Sequence, residues 1–120
     1  MALRNIVKFG DPILNKTSRK IEKFDDRLAI LIDDMLETMY QANGVGLAAV
    51  QVGMLKRVVV IDIGDGPMEL VNPEITMREG EQRESEGCLS LPGKYGVTVR
   101  PMKVQVKTET ANGRYLPAKV

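Results

Sequence analysis

Histidine is absent from the 120 residues. That removes a Ser-His-Asp triad, a Cys-His dyad and any imidazole metal ligand from the chemistry these residues perform alone. Cysteine occurs once, so no intrachain disulfide framework exists, and a free thiol agrees with a reducing compartment. An excess of charge of one sign is lacking too. Lys and Arg number 17 and Asp and Glu 16, a formal net charge of +1. The domain-wide basic surplus that argues for nucleic acid is missing, and no nucleic-acid partner is expected. No run approaches the roughly 20 apolar residues of a membrane span. The N-terminus leads into an alternating segment instead of the apolar core of a secretion signal. A cytoplasmic protein with no membrane partner is the expectation.

What is present reads as one domain, residues 1–120, with 43% hydrophobic and 28% charged residues, enough to bury a core. Neither an internal repeat nor a low-complexity linker occurs. Residues 3–9 read as a short strand or extended arm, punctuated by Gly10, Asp11 and Pro12. The clearest element spans residues 25–41. Its apolar residues Leu28, Leu31, Ile32, Met35, Leu36 and Met39 stand at offsets of 3, 4, 7, 8 and 11 from the first, which marks one helical face. Asp33, Asp34 and Glu37 fall on the other side, Asp25 or Asp26 caps the start, and Asn43-Gly44 supplies the stop. The period then changes to two. Residues 57–63, 68–72, 73–77, 97–99 and 104–108 read as strands, and Ala111-Asn112-Gly113 as a hairpin turn into a last strand at 114–120, interrupted by Pro117. The expected fold is α+β: antiparallel sheets with one long amphipathic helix.

Two segments fit neither period. Residues 44–53 (Gly-Val-Gly-Leu-Ala-Ala-Val-Gln-Val-Gly) are dense in small side chains, which lets a backbone approach another element or a ligand closely. Gln51 is the one long polar side chain in the run. It either satisfies backbone groups or faces a substrate. Residues 84–93 (Glu-Ser-Glu-Gly-Cys-Leu-Ser-Leu-Pro-Gly) carry Cys88. A lone cysteine is either a small buried hydrophobe or a thiolate acting as nucleophile or metal ligand. The first thiolate role wants a base and the second wants further ligands.

Together the two segments resemble the signatures of the peptide deformylases. Residues 44–53 are similar to the family's Gly-φ-Gly-Leu-Ala-Ala-Pro-Gln-φ-Gly, with φ apolar. Glu86-Gly87-Cys88-Leu89-Ser90-Leu91-Pro92-Gly93 is similar to its second signature. The Phe9-Gly10-Asp11-Pro12-Ile13-Leu14 segment and the helix before the first signature are similar as well, so the likeness runs over essentially the whole chain. It implies hydrolysis of the N-formyl group from the N-terminal methionine of nascent polypeptides. The metal would be Fe2+, or Zn2+, Ni2+ or Co2+ in its place, held by one thiolate and two histidines. On this likeness Cys88 matches the metal ligand. The Gln51 side-chain amide and the Leu89 backbone N–H match the oxyanion donors. Val45, Gly46 and Gly87 match substrate-binding positions, with Gly46 also beside the reacting group, and Glu86 matches a buried carboxylate paired with an arginine.

Two departures accompany the resemblance. Val50 stands where the family has proline, which predicts a looser loop around Gln51. The third signature, His-Glu-x-x-x-His on a C-terminal metal-ligand helix, does not occur in these residues. The expectation is therefore an incomplete deformylase-like domain, probed as a hydrolase without its own turnover and without a stoichiometric metal. A non-catalytic formyl-methionine peptide-binding module and an oligomeric structural remnant are the alternatives. A homo-oligomer is also expected, with the core-facing helix surface and residues 114–120 at the contact.

Overall fold

A computed structural model describes residues 2–79, 81–100, 103–109 and 115–119. Helix α1 runs over Asp26–Gln41. Asp25 caps it, its carboxylate accepting from the Arg27 N–H at 3.1 Å and the Leu28 N–H at 3.2 Å. The helix ends where the sequence predicts, because Asn43 takes a left-handed φ of 56°. The Gly44 N–H then reaches back to the Met39 carbonyl at 2.9 Å and the Asn43 N–H to that of Tyr40 at 3.1 Å, satisfying two carbonyls left open by the last turn.

Among the described residues seven strands follow: β1 Gly46–Ala48, β2 Val58–Ile61, β3 Met68–Glu79, β4 Gln82–Cys88, β5 Leu91–Arg100, β6 Lys103–Glu109 and β7 Tyr115–Lys119. Five form one antiparallel sheet in the order β1-β2-β3-β6-β7, and β4 pairs with β5 in a second. Pro117 sits on β7, an edge strand, the place in a sheet where proline is tolerated. Helix α1 packs against β1 and β2. Leu28, Leu31, Ile32, Met35 and Met39 from the helix, Leu47 from β1, and Val58, Val60 and Val71 from the sheet make the core. The fold is the expected α+β, and the hairpin turn expected at 111–113 lies outside the described residues.

One open reading is resolved and three change. Residues 3–9 are an extended arm and not a sheet strand: the Val7 N–H bonds the Gln51 carbonyl at 2.7 Å and the Phe9 N–H that of Ser90 at 2.8 Å. Residues 68–72 and 73–77 are one strand, β3, with a bulge between Val71 and Glu74. Asn72 forms the bulge at φ 52° and turns its side chain on the chain before α1, accepting from the Ile21 N–H at 2.6 Å and donating to the Ile21 carbonyl at 2.9 Å. Its amide thus imitates a paired strand, which is why a break in alternation at Pro73 does not end the strand.

Asp34 is buried instead of lying with Asp33 on the polar side. Its carboxylate accepts from the Ala2 N–H at 2.8 Å and from Arg4 Nε at 3.0 Å and Nη2 at 2.9 Å. The arm folds over that side of the helix, so a polar position becomes an anchor. Finally, the helix face expected to stay open to a second copy is covered within this chain, since Met35 and Met39 are 0% exposed and Leu28, Leu31 and Ile32 no more than 3%. Only Leu36 of the six is half-buried. The short strands β1 and β2, with Ile21 and Phe24 of the connector, supply the cover that the sequence reading assigned to a further helix.

Candidate functional site

The two non-periodic segments come together. Residues 44–53 form the edge strand β1 and then a tight 3-10 turn over Ala49–Val52 that closes on Gly53, whose φ is 82°. That φ is easy only for a residue without Cβ, so the glycine ends the turn and sends the chain on toward β2. Residues 84–93 form the hairpin between β4 and β5, with Leu89 and Ser90 at its turn. The sequence reading missed β4 because its polar alternation carries no apolar signal. A register shift separates the Gly87–Tyr95 pair from the Cys88–Leu91 pair. Bulges of this kind re-aim the side chain that follows them.

Gln51 joins the segments. Its Oε1 accepts from the Ala48 N–H at 3.0 Å, and its Nε2 donates to Ser90 Oγ at 3.2 Å and toward Cys88 Sγ at 3.5 Å. The carboxamide is therefore bonded at both ends. Fixing Oε1 on a backbone donor also orients the amide, so the N–H2 group faces the thiol. Gln51 thus satisfies a backbone group, the first of its two alternatives, and its Nε2 lies beside the exposed Cys88. Cys88 is exposed and unpaired, which sets aside the buried-hydrophobe reading.

Gly44 fits the same junction by close approach. A Cβ there would lie 2.7 Å from Leu89 Cδ1, so Leu89 comes this close to the Gly44 backbone only because that position has no side chain. At Gly46 the nearest atom to a built Cβ is the Val60 carbonyl oxygen at 3.8 Å, an ordinary contact. Packing within the chain does not require glycine at position 46. Val45 beside it is 63% exposed, and its carbonyl accepts from the Asp62 N–H at 2.9 Å. Asp62 is held in turn by Tyr40, whose hydroxyl donates to it at 2.6 Å. The hydrogen bond from Tyr40 holds the Asp62 carboxyl below its usual range and raises the Tyr40 hydroxyl above its own. Of the other expected site residues, Gly87 lies on β4, and the Glu86 side chain falls outside what is described.

Two residues were not singled out from the sequence. Ser90 is 5% exposed, accepts from Gln51 and also receives the arm at Phe9. Its position two residues after Cys88 in a β-hairpin was the available signal. Lys8 reaches the Leu89 carbonyl with Nζ at 3.4 Å from the arm. Among the described residues no group of three or more His, Cys, Asp or Glu side chains converges on a point that would hold a metal. Cys88 is the one thiol in the chain. The described residues thus fit one corner of a catalytic metal site and do not enclose the ion themselves.

An α+β scaffold that presents an exposed thiol next to an oriented carboxamide donor, beside a glycine-bearing sheet edge, defines a thiol-centred site with a preset hydrogen-bond donor. The comparisons with known proteins specify which. The model of the polypeptide deformylase family matches residues 3–119, and the chain belongs to that family. It is 57% identical to the peptide deformylase of Clostridium botulinum over 113 residues, 94% of this chain and 77% of that protein. It is 59% identical to that of Acetivibrio thermocellus over 113 residues, 94% of this chain and 66% of that one. The crystal structure of Thermotoga maritima peptide deformylase superposes with a TM-score of 0.97 at 39% identity, covering 100% of this chain and 82% of its own. That of the Ehrlichia chaffeensis enzyme in complex with actinonin gives 0.97 at 36%, covering 99% and 75%. Among the described residues no helix is long and apolar enough to cross a membrane.

Proposed function

We propose that these residues form the substrate-binding and oxyanion-stabilising part of a peptide deformylase site, acting on the N-formyl group of an N-terminal methionine. The observation that carries this reading is the Gln51 carboxamide, locked between the Ala48 N–H and the Ser90 hydroxyl and turned toward Cys88. When water adds to a formyl carbon, charge grows on the formyl oxygen. A donor already oriented loses no reorganisation energy at that moment, and one such donor is worth about 10²–10³ in rate. Gln51 Nε2 and the Leu89 N–H are the two donors we assign. Val45 and Gly46 offer the peptide an exposed apolar surface and an edge-strand backbone with room for close approach.

Cys88 is assigned as one ligand of the divalent metal that the family likeness implies, iron first and zinc, nickel or cobalt in its place. Two imidazole ligands and a carboxylate base belong to a third motif that the 120 residues do not contain. The reading for these residues alone is therefore substrate binding without turnover.

The test uses the 120-residue chain, a formyl-Met-Ala-Ser peptide and elemental analysis. Expected are less than one-tenth metal per chain, no formate release, and peptide-induced amide shifts at the Gln51 side chain and Leu89. One tightly held metal per chain, with turnover abolished by Cys88→Ala, refutes the inactivity. Absence of shifts at both donors refutes the cleft assignment.

A further inference from the structure

An open groove of about 590 Å³ lies between the connector before α1 and the segment after the 3-10 turn, and none of Val45, Gly46, Gln51, Cys88 or Leu89 lines it. Five cations do: Arg19, Lys20, Lys23, Arg27 and Lys56. Two carboxylates, Glu22 and Asp25, share the groove, and Asp25 is occupied in capping the helix. Among the described residues the one ion pair is Arg4 with Asp34, so none of the five cations has an acidic partner within 4.0 Å.

Two of these cations are held together by the backbone. The Arg19 N–H bonds the Leu55 carbonyl at 3.0 Å and the Arg57 N–H the Arg19 carbonyl at 2.9 Å, a bridge that sets Arg19 beside Lys56. Like charges side by side on a bridge repel, and an acidic ligand between them removes that cost. Arg27 stands in the first turn of α1, where the helix dipole favours acids over bases. Local stability explains neither placement. Beneath the cations Ile13, Met54 and Leu55 are only half-buried, so the groove has an apolar floor under a basic rim. No aromatic side chain lines it, so the groove lacks the aromatic platform on which single-stranded bases stack.

We infer that this groove docks a peptide segment of a partner protein in which acidic and apolar residues alternate. The acids pair with the rim and the apolar side chains cover Ile13, Met54 and Leu55. The charge pattern selects the acids and the floor selects against a purely polar polyanion. The inference stands apart from the deformylase reading, since the two sites share none of the residues assigned above.

A fluorescein-labelled twelve-residue peptide alternating Glu with Leu and Phe, monitored by anisotropy and by ¹⁵N amide shifts of the 120-residue chain, tests it. Expected are shifts at residues 19–27 and 53–56 and at least a tenfold affinity loss on raising salt from 50 to 300 mM. A Lys20→Glu/Lys23→Glu variant, altering two exposed side chains, is expected to lose at least tenfold. Leu55→Gln, which keeps every cation, is expected to lose at least threefold. A peptide with Ser for each Leu and Phe that binds equally well, a twelve-nucleotide RNA that binds more tightly than the peptide, or charge reversal without effect overturns the inference. Circular dichroism of each variant checks the fold, and should one variant unfold, the other still decides.

Discussion

Gly44 and Gly46 belong to one motif, and the structure predicts opposite consequences for adding a methyl group to each. At Gly44 the new Cβ meets Leu89 Cδ1 at 2.7 Å, Cγ at 3.3 Å and Cδ2 at 3.4 Å. The φ of Gly44 is not positive, so an alanine suffers no backbone strain and the whole cost is steric. Leu89 must turn away, and it packs on the core cluster, so turning forfeits that contact. Overpacking of this kind costs about 1–3 kcal/mol. Loss of glycine entropy from the unfolded chain returns about 0.4–1 kcal/mol. Subtracting the second range from the first leaves about 0–2.6 kcal/mol, so Gly44→Ala is expected to destabilise by an amount centred on ~1.3 kcal/mol. At Gly46 the nearest atom is 3.8 Å away, so only the entropic gain remains and Gly46→Ala is expected to stabilise slightly. The binding effects run otherwise. Gly46→Ala is expected to weaken formyl-methionyl peptide binding at least tenfold by filling the edge that the peptide approaches. Urea unfolding midpoints measure the first pair of effects and peptide titration the second. Gly44→Ala/Leu89→Ala supplies the control, because removing the leucine side chain keeps its N–H and relieves the clash, so the coupling between the two changes is expected to be favourable. A Gly44→Ala protein more stable than the parent, or a Gly46→Ala protein less stable than Gly44→Ala, would show that the contact geometry is misread.

Three further outcomes are expected. The Asp34 carboxyl is held below its ordinary range first by the Ala2 N–H and then by Arg4, against the opposing effect of burial. A folded pKa below the unfolded one gives stability that is present above the unfolded value and lost as pH falls through the folded one, so an acid titration below about pH 4 should lower the unfolding midpoint, and Asp34→Asn should flatten that slope. Exposed Cys88 is expected to react with a thiol reagent in the native chain at a rate that urea raises little; reaction only after unfolding would refute its exposure. Gln51→Leu strands the Ala48 N–H and is expected to cost about 1–3 kcal/mol in unfolding free energy, with loss of the peptide-induced shift at Leu89.

The helix, its cap and its stop were legible from residues 25–44 because they depend on local chemistry: a 3.6 period, a short carboxylate before the first turn, an Asn-Gly pair after the last. The core stripe from Leu28 to Met39 was legible for the same reason. What escaped depends on contacts distant in sequence. Nothing near Asp34 announces that Ala2 and Arg4 will bury it, 30 or more residues away. Asn72 looks like a turn residue beside Pro73, and only Ile21, 51 residues earlier, makes it a bulge within a strand. At the site, the identities of Gln51 and Cys88 were legible through the family's motifs. The partners that orient them were not, because Ser90 reads as any polar residue of a hairpin.

The arm shows why those partners matter. It begins on α1, where the Ala2 N–H meets Asp34 and the Arg4 N–H meets Thr38 Oγ1 at 2.9 Å. It then crosses to the site, where Val7 bonds the carbonyl of Gln51 and Phe9 that of Ser90. Thr38 Oγ1 is itself fixed by donating to the Asp34 carbonyl at 2.7 Å. Ala48, at the end of β1, and Ser90, at the β4–β5 turn, orient the Gln51 amide, and the arm fastens both segments to the helix. A loop held by its own turn alone is free to move by more than the fraction of an ångström that separates a good donor geometry from a poor one. Asp34, in the middle of the helix, and Thr38, one turn on, are thus joined to both site segments through the backbone of the arm.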